Sequence, residues 1–390
     1  MWYPIFNNAL TMEQTFDNIR PYNPDELHDA FSRLIKEPTF LALIQQFMPQ
    51  IPVEQVCTQL LSLPNATAFQ KTFIVPLLND IEAKHSKGIT ASGIDSITRP
   101  ALFVSNHRDI VMDSALMDLV LFRAGLDSVE IGIGDNLLAA PWIQTLVRIN
   151  KSFIVQRALP VREMPKAFLE LSGYIRHAIT KKESSVWIAQ REGRAKDAND
   201  RTQESILKMF ALSGTGSFIN NLKELNISPV AISYEYDPCD YLKAKEFQQK
   251  RDDSSYKKTP QDDLLNMKTG IMGYKGHVHY AFTPSINPEL EQIEASVDNR
   301  KGQLEEIVTL IDKRIHSNYT IYPINKIAYD ELLNTTRFTT EISSKERSEV
   351  ESYLEQQLNK IDFPNKDYDF LRHKLLEMYA NPLINQLATK

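Results

Sequence analysis

Two cysteines, Cys57 and Cys239, are too few and too far apart for a disulfide framework or a CxxC pair. Both are expected as buried small hydrophobes in a reducing, cytosolic compartment. No apolar run approaches the roughly 18 residues of a membrane-spanning helix. The first twenty residues, MWYPIFNNALTMEQTFDNIR, lack the basic flank and continuous apolar stretch of a secretory signal. An excess of basic residues is also missing: the formal net charge is −6, which argues against a nucleic-acid binder. No G-x-S-x-G elbow occurs, so Ser105 has no serine-hydrolase setting. Internal repeats and low-complexity tracts are absent too.

What is present is ordinary for a globular protein, with 42% hydrophobic and 24% charged residues. Residues 1–90 are expected to be a helical N-terminal subdomain. PDELHDAFSRLIKE spaces Leu27, Phe31 and Leu34 as one helical face, and VEQVCTQLLSL does so with Val56, Leu60 and Leu61. From about 91 to 330, the strand-like runs ALFVSN, SVEIGIG, KSFIVQR, SSVWIAQ, SPVAISYEY and GHVHYAFTPSI alternate with helical segments. That alternation predicts an α/β domain whose mixed, mostly parallel central sheet is flanked by helices. REMPKAFLELSGYIRHAIT is its clearest helix, with Phe168, Leu171, Ile175 and Ile179 on one stripe. KRDDSSYKKTPQDD (250–263) reads as a polar surface excursion, and residues 331–390 as a helical C-terminal extension containing a hairpin.

Four of these strand-like runs end in chemically capable residues, and strand ends of one sheet lie side by side. ALFV leads into Ser105-Asn106-His107-Arg108, then Asp109 and Asp113. A carboxylate in the first turn of the following helix can reach back to the imidazole, giving a base-and-orienter pair. Asp113 is the preferred partner because Asp109 is well placed as the helix cap, although both remain candidates. Arg157, Arg194 and Lys196 follow other strand ends and together suggest an anion site for a phosphorylated substrate.

With these residues in place, the chain resembles the glycerolipid acyltransferase family, the glycerol-3-phosphate and 1-acylglycerol-3-phosphate O-acyltransferases. NHRDIVMD (106–113) is similar to the family's N-H-x4-D, and KSFIVQR (151–157) to its G-x-x-F-I-x-R. QREGRAK (190–196) is similar to F-P-E-G-x-R, and ISPVAISYE (227–235) to the V-P-V strand. The blocks occur in the family's order across roughly 100–285. The resemblance implies transfer of a fatty acyl group from acyl-CoA or acyl-carrier protein to a hydroxyl of glycerol 3-phosphate or a lysophospholipid, in phospholipid synthesis. It makes His107 the general base and Asp113 its partner. Arg108, Phe153, Arg157, Glu192, Gly193, Arg194 and Lys196 become substrate-binding residues, with Pro229 and Val230 as a supporting wall nearer the acyl chain. No metal or other cofactor is implied.

Three departures accompany the resemblance. Five residues separate the histidine from the aspartate instead of four, and one added residue turns a helical position by about 100°. Lys151 stands where a glycine is expected. Gln190-Arg191 replaces Phe-Pro, and the stretch from Glu192 to Arg194 is one residue short. They motivate a rival reading, a catalytically silent phosphate- or phospholipid-binding protein of the same fold; a lyso-aminolipid acceptor is another alternative. A metal site at His277 and His279 is disfavoured because no third ligand lies near in sequence. NLLAAPWIQTLVRI (136–149), with Trp142, is a candidate for weak, reversible contact with a membrane surface, and the expected location is cytoplasmic, peripheral on the inner face of the cell membrane. Lys181-Lys182 is a candidate docking patch for a carrier protein.

Overall fold

Apolar runs such as LFVS and SPVAISY have no polar face to show to water, so they belong in a sheet covered on both sides. The computed structural model describes residues 16–138, 140–362 and 364–390, and both runs are buried throughout. The reading of the first twenty residues falls largely on 1–15, outside the described residues.

Five helices lead the chain: α1 (Leu27–Leu34), α2 (Pro38–Phe47), α3 (Val53–Leu61), α4 (Ala66–Phe69) and α5 (Val75–His85). Next come β1 (Gly88–Ser92), β2 (Leu102–Ser105), α6 (Met112–Arg123), β3 (Glu130–Gly134) and α7 (Pro141–Ile149). The chain continues with β4 (Ser152–Val155), α8 (Met164–Thr180), β5 (Val186–Ala189), α9 (Glu204–Phe210), α10 (Phe218–Lys223) and β6 (Ser228–Tyr234). An excursion carries α11 (Asp240–Asp252) and α12 (Pro260–Met272) before β7 (His277–Phe282). Five helices finish the fold: α13 (Asn287–Ser296), α14 (Arg300–Ser317), α15 (Pro323–Leu332), α16 (Ser344–Asn359) and α17 (Tyr368–Leu387).

The seven strands form one sheet in the order β1-β7-β6-β2-β5-β3-β4. All neighbours are parallel except β6 and β7, the mixed and mostly parallel arrangement expected from the sequence. Ser105 at the end of β2 pairs with Ala189 at the end of β5, so the segments after these two strands emerge together. The sequence reading missed β1. It is a short, half-exposed edge strand without the apolar run that marks the central ones.

Apolar clusters cover both faces of the sheet, one built with α8 and α14, the other with α5 and α6. Leu27, Phe31, Leu34, Val56 and Leu60 form a third cluster among the N-terminal helices. Trp142, Leu146 and Ile149 of α7 pack into it. That packing takes up part of the apolar surface of 136–149, although Trp142 and Leu146 stay partly exposed. On α8, Leu171, Ile175 and Ile179 are buried as expected, but Phe168 is exposed. Tyr174 and Ala178 complete the buried stripe in its place. The polar stretch 250–263 is helical at both ends and irregular only over 253–259. Thr259 and Asp262 form a reciprocal capping box that starts α12, a T-x-x-D signal overlooked among the charges. No described helix is long and apolar enough to cross a membrane.

Candidate active site

After β2 the chain turns over residues 106–111 before α6 begins at Met112. His107 Nδ1 lies 2.8 Å from Asp113 Oδ2. The same oxygen accepts the backbone N–H groups of Arg108 at 2.6 Å and Asp109 at 3.0 Å. Asp109 plays the other role. Its Oδ1 accepts from Val111 and Met112 N–H, at 2.9 and 2.8 Å, two of the donors exposed at the helix start. The two carboxylates therefore divide the roles the sequence left open. The extra residue is absorbed in the same turn, since His107 precedes the helix and no helical rotation separates it from Asp113.

With Nδ1–H donating to the carboxylate, the neutral imidazole carries its lone pair on Nε2, where it can act as a base. Among the described residues Nε2 makes no hydrogen bond, and the His107 side chain is 15% exposed. Trp187 stands edge-on to the imidazole at 5.6 Å and donates through Nε1 to Ser105 Oγ at 2.9 Å. Asn106 ties the turn to β6, donating to Ile232 O and accepting from Ile232 N, each at 2.8 Å. Ser105 thus supports the turn instead of serving as a nucleophile.

Beneath the turn lies a group of buried charges. Arg108 reaches Asp200 Oδ2 at 3.1 Å and donates to the carbonyls of Ala195 and His107. Lys243, only 1% exposed, pairs with Asp237 and donates to Arg108 O at 2.9 Å. Burial alone would discharge these groups; instead, Asp200 and Asp237 overcome it and hold the Arg108 pKa above its usual value. For Asp237, burial is likewise outweighed, by Lys243 and Arg108, and its pKa falls. Burial wins at Asp109, raising its pKa, with the Asp113 charge adding to the effect. Asp200, Asp237 and Lys243 were not singled out from the sequence. Lys243 sits in the charged helix DYLKAKEFQQKRD, where nothing marks one lysine as buried.

The other expected site residues separate into two groups. Arg157 is partly exposed at the end of β4, 3.7 Å from Glu192, with its backbone N–H on Asp135 Oδ1. Gly193 is open on its Cβ side in left-handed backbone (φ +68°), and Arg194 reaches Asn266 Oδ1 on α12 at 3.3 Å. Arg194 bears electrostatically on Asp109, while Arg157 follows β4, at the edge of the sheet beyond β5 and β3. Three placements correct the sequence reading. Arg108 is buried and bound within the protein, so it supports the turn from inside. Phe153 is fully buried against Tyr174, because its position in β4 points it into the core. Lys196 is paired with Glu246 of α11, which neutralises the charge offered to an anion. Pro229 and Val230 are likewise inside β6, fully covered. Lys151 adopts left-handed backbone (φ +57°), the conformation that explains a glycine there in the family pattern.

A small cavity of about 30 Å³ borders the turn, lined by Asn106, Arg108, Asp200, Tyr234 and Tyr319 among others. A larger cleft, about 330 Å³, opens by Ala101 and Ser228, where β2 and β6 begin, at the opposite end of the sheet from His107. Lys181 and Lys182 also precede a strand start, that of β5, and Lys182 is bound to Glu130. That placement removes them from the surroundings of the dyad. His279 has its ring nitrogens on Thr90 and Ser92, at 2.8 and 2.9 Å, while His277 stacks on Tyr322.

Residues 88–233 match the Acyltransferase family, the segment that contains the dyad, Arg157 and Arg194. No curated protein matches the chain. Among solved structures, the 1-acyl-sn-glycerophosphate (LPA) acyltransferase PlsC of Thermotoga maritima aligns with 74% of this chain and 95% of its own. The identity is 11% and the TM-score 0.36.

Proposed function

With an acyltransferase domain at residues 88–233 as premise, we propose that this chain moves a fatty acyl group from an acyl thioester to a hydroxyl of glycerol 3-phosphate or a lysophospholipid, in phospholipid synthesis. The observation that carries the reading is the 2.8 Å contact between His107 Nδ1 and Asp113 Oδ2 beside a free Nε2. In the proposed step, Nε2 takes the acceptor's hydroxyl proton while its oxygen attacks the thioester carbonyl carbon. Collapse of the tetrahedral intermediate breaks the carbon–sulfur bond, and the departing thiolate takes the proton back from the imidazolium. The products are an ester and a free thiol. A thiolate leaves readily, so the step calls on no metal ion and no cofactor beyond the donor itself.

Arg157 and Arg194 are the proposed contacts for the acceptor phosphate, at the rim where Glu192 and Gly193 also lie. Acyl-CoA and acyl-carrier protein are both candidate donors. The proposed location is cytoplasmic, peripheral on the inner face of the cell membrane, with weak and reversible lipid contact.

The test is thiol release from palmitoyl-CoA, with glycerol 3-phosphate and then lysophosphatidate as acceptor, for wild type and His107→Ala. Acceptor-dependent release that falls at least about a hundredfold in the variant is expected. The same assay with acyl-carrier protein covers the other donor. Equal background from both proteins with both donors would overturn the reading and favour a silent binding protein.

A further inference from the structure

Helix α12 lies over the dyad's turn. Its buried Gly270 packs on Asp109 so closely that a methyl there would collide with Oδ2. One turn earlier, its buried Asn266 receives Arg194. Helical spacing sends the other face outward, and that face is apolar: Leu264 is 53% exposed, Leu265 47% and Met272 45%, with Tyr274 just beyond at 42%. Such a cluster on a short helix needs an explanation, whereas single exposed apolar residues do not. The charged residues around it favour one sign. Over 257–272, Lys257, Lys258 and Lys268 stand against Asp262 and Asp263; Lys258 pairs with Asp263, Asp262 keeps its charge in the capping box, and Lys257 and Lys268 are exposed without an ion pair among the described residues.

We propose that the outer face of α12 is the surface by which this protein docks on an anionic lipid bilayer, placing the catalytic turn beneath the membrane-facing helix. Leu264, Leu265 and Met272 enter the boundary between headgroups and acyl chains, and Lys257 and Lys268 meet anionic headgroups. The helix is held as a unit at both ends. Thr259 caps its start, and the buried Lys275 donates to Ile271 O and Gly273 O at its end, at 3.0 and 2.7 Å. The idea takes its motive from the proposed lipid reaction, yet docking itself requires no turnover.

The experiment is flotation of the full-length protein with phosphatidylcholine vesicles and with vesicles that also contain phosphatidylglycerol. Wild type is compared with a Leu264→Ser, Leu265→Ser, Met272→Ser variant and with a Lys257→Glu, Lys268→Glu variant. Wild type is expected to co-float with anionic vesicles. The triple variant should lose at least about tenfold in partitioning, the loss expected when several apolar side chains no longer enter the bilayer. The double variant should lose mainly the preference for anionic lipid. Unchanged melting temperatures would show that both variants fold. A wild type that never floats overturns the proposal, and so does a triple variant that floats as well as wild type. Wild-type self-association abolished by the triple variant, without flotation, would identify a second copy as the occupant and equally overturn it. Docking without thiol release from either donor leaves this surface standing and removes the reaction instead.

Discussion

Asp113 Oδ2 accepts three hydrogen bonds, from the imidazole and from two successive backbone N–H groups. That arrangement orients the imidazole and fixes the turn carrying it. Lys243 completes the hold from the opposite side, through the carbonyl of Arg108. Lys243→Met should lower kcat by about tenfold with little change in KM, a displacement effect on a base that itself remains. The same change takes from the buried Asp237 its directly bonded counter-ion and leaves only the Arg108 charge nearby, at a cost of up to about 3–5 kcal/mol. Adding Asp237→Asn should recover much of that stability without recovering the rate. Urea unfolding beside steady-state kinetics reads both quantities, and a rate that returns with stability would refute the positioning role.

At the scale of elements, α6 does two things. Its start supplies Asp113, and its buried Asp118 accepts the Val129 N–H at 2.9 Å just before β3. Burial pushes the Asp118 pKa up to about 7, only partly opposed by that hydrogen bond. A carboxyl whose folded pKa lies above its unfolded one stabilises the fold when protonated. Its contribution is complete below the unfolded value near 4 and is lost as pH rises through about 7. The same sign holds for Asp240 of α11, also pushed up to about 7 by burial, where it accepts from Tyr353, Tyr379 and Gln357. Melting temperature should therefore fall as pH rises from about 4 to about 7, and Asp118→Asn should flatten part of that slope. Equal slopes in both proteins would place the effect elsewhere.

For the whole molecule, the C-terminal helices do more than extend the chain. Leu354, Leu358, Leu371 and Leu375 make a cluster with Ala244 of α11, so α16 and α17 brace the excursion that supports the dyad's turn. From α17, Asn381 donates to Asp197 O at 2.7 Å, and Asn385 receives Arg201 at 2.8 Å. These two bonds flank the loop carrying Asp200. Leu375→Ala removes a fully buried side chain and should cost about 2–5 kcal/mol, as a drop in the urea midpoint. Because the cluster reaches the site, activity should be lost at lower urea in this variant than in wild type.

The sequence by itself determined the central strands, since runs such as LFVS and SPVAISY have only one stable place in a layered protein. It also determined the dyad, because a histidine after a strand and an aspartate in the next helical turn are brought together by local geometry. The choice of Asp113 over Asp109, and the harmlessness of one added residue, depended on where α6 begins. Tertiary structure alone decided which charges are free. Arg108 and Lys196 look like Arg157 and Arg194 in the sequence, yet Asp200 and Glu246 claim them from 92 and 50 residues away. The placement of α12 over the turn is of the same kind. Local propensity makes that helix, but only long-range packing chooses which of its faces meets the site and which meets solvent.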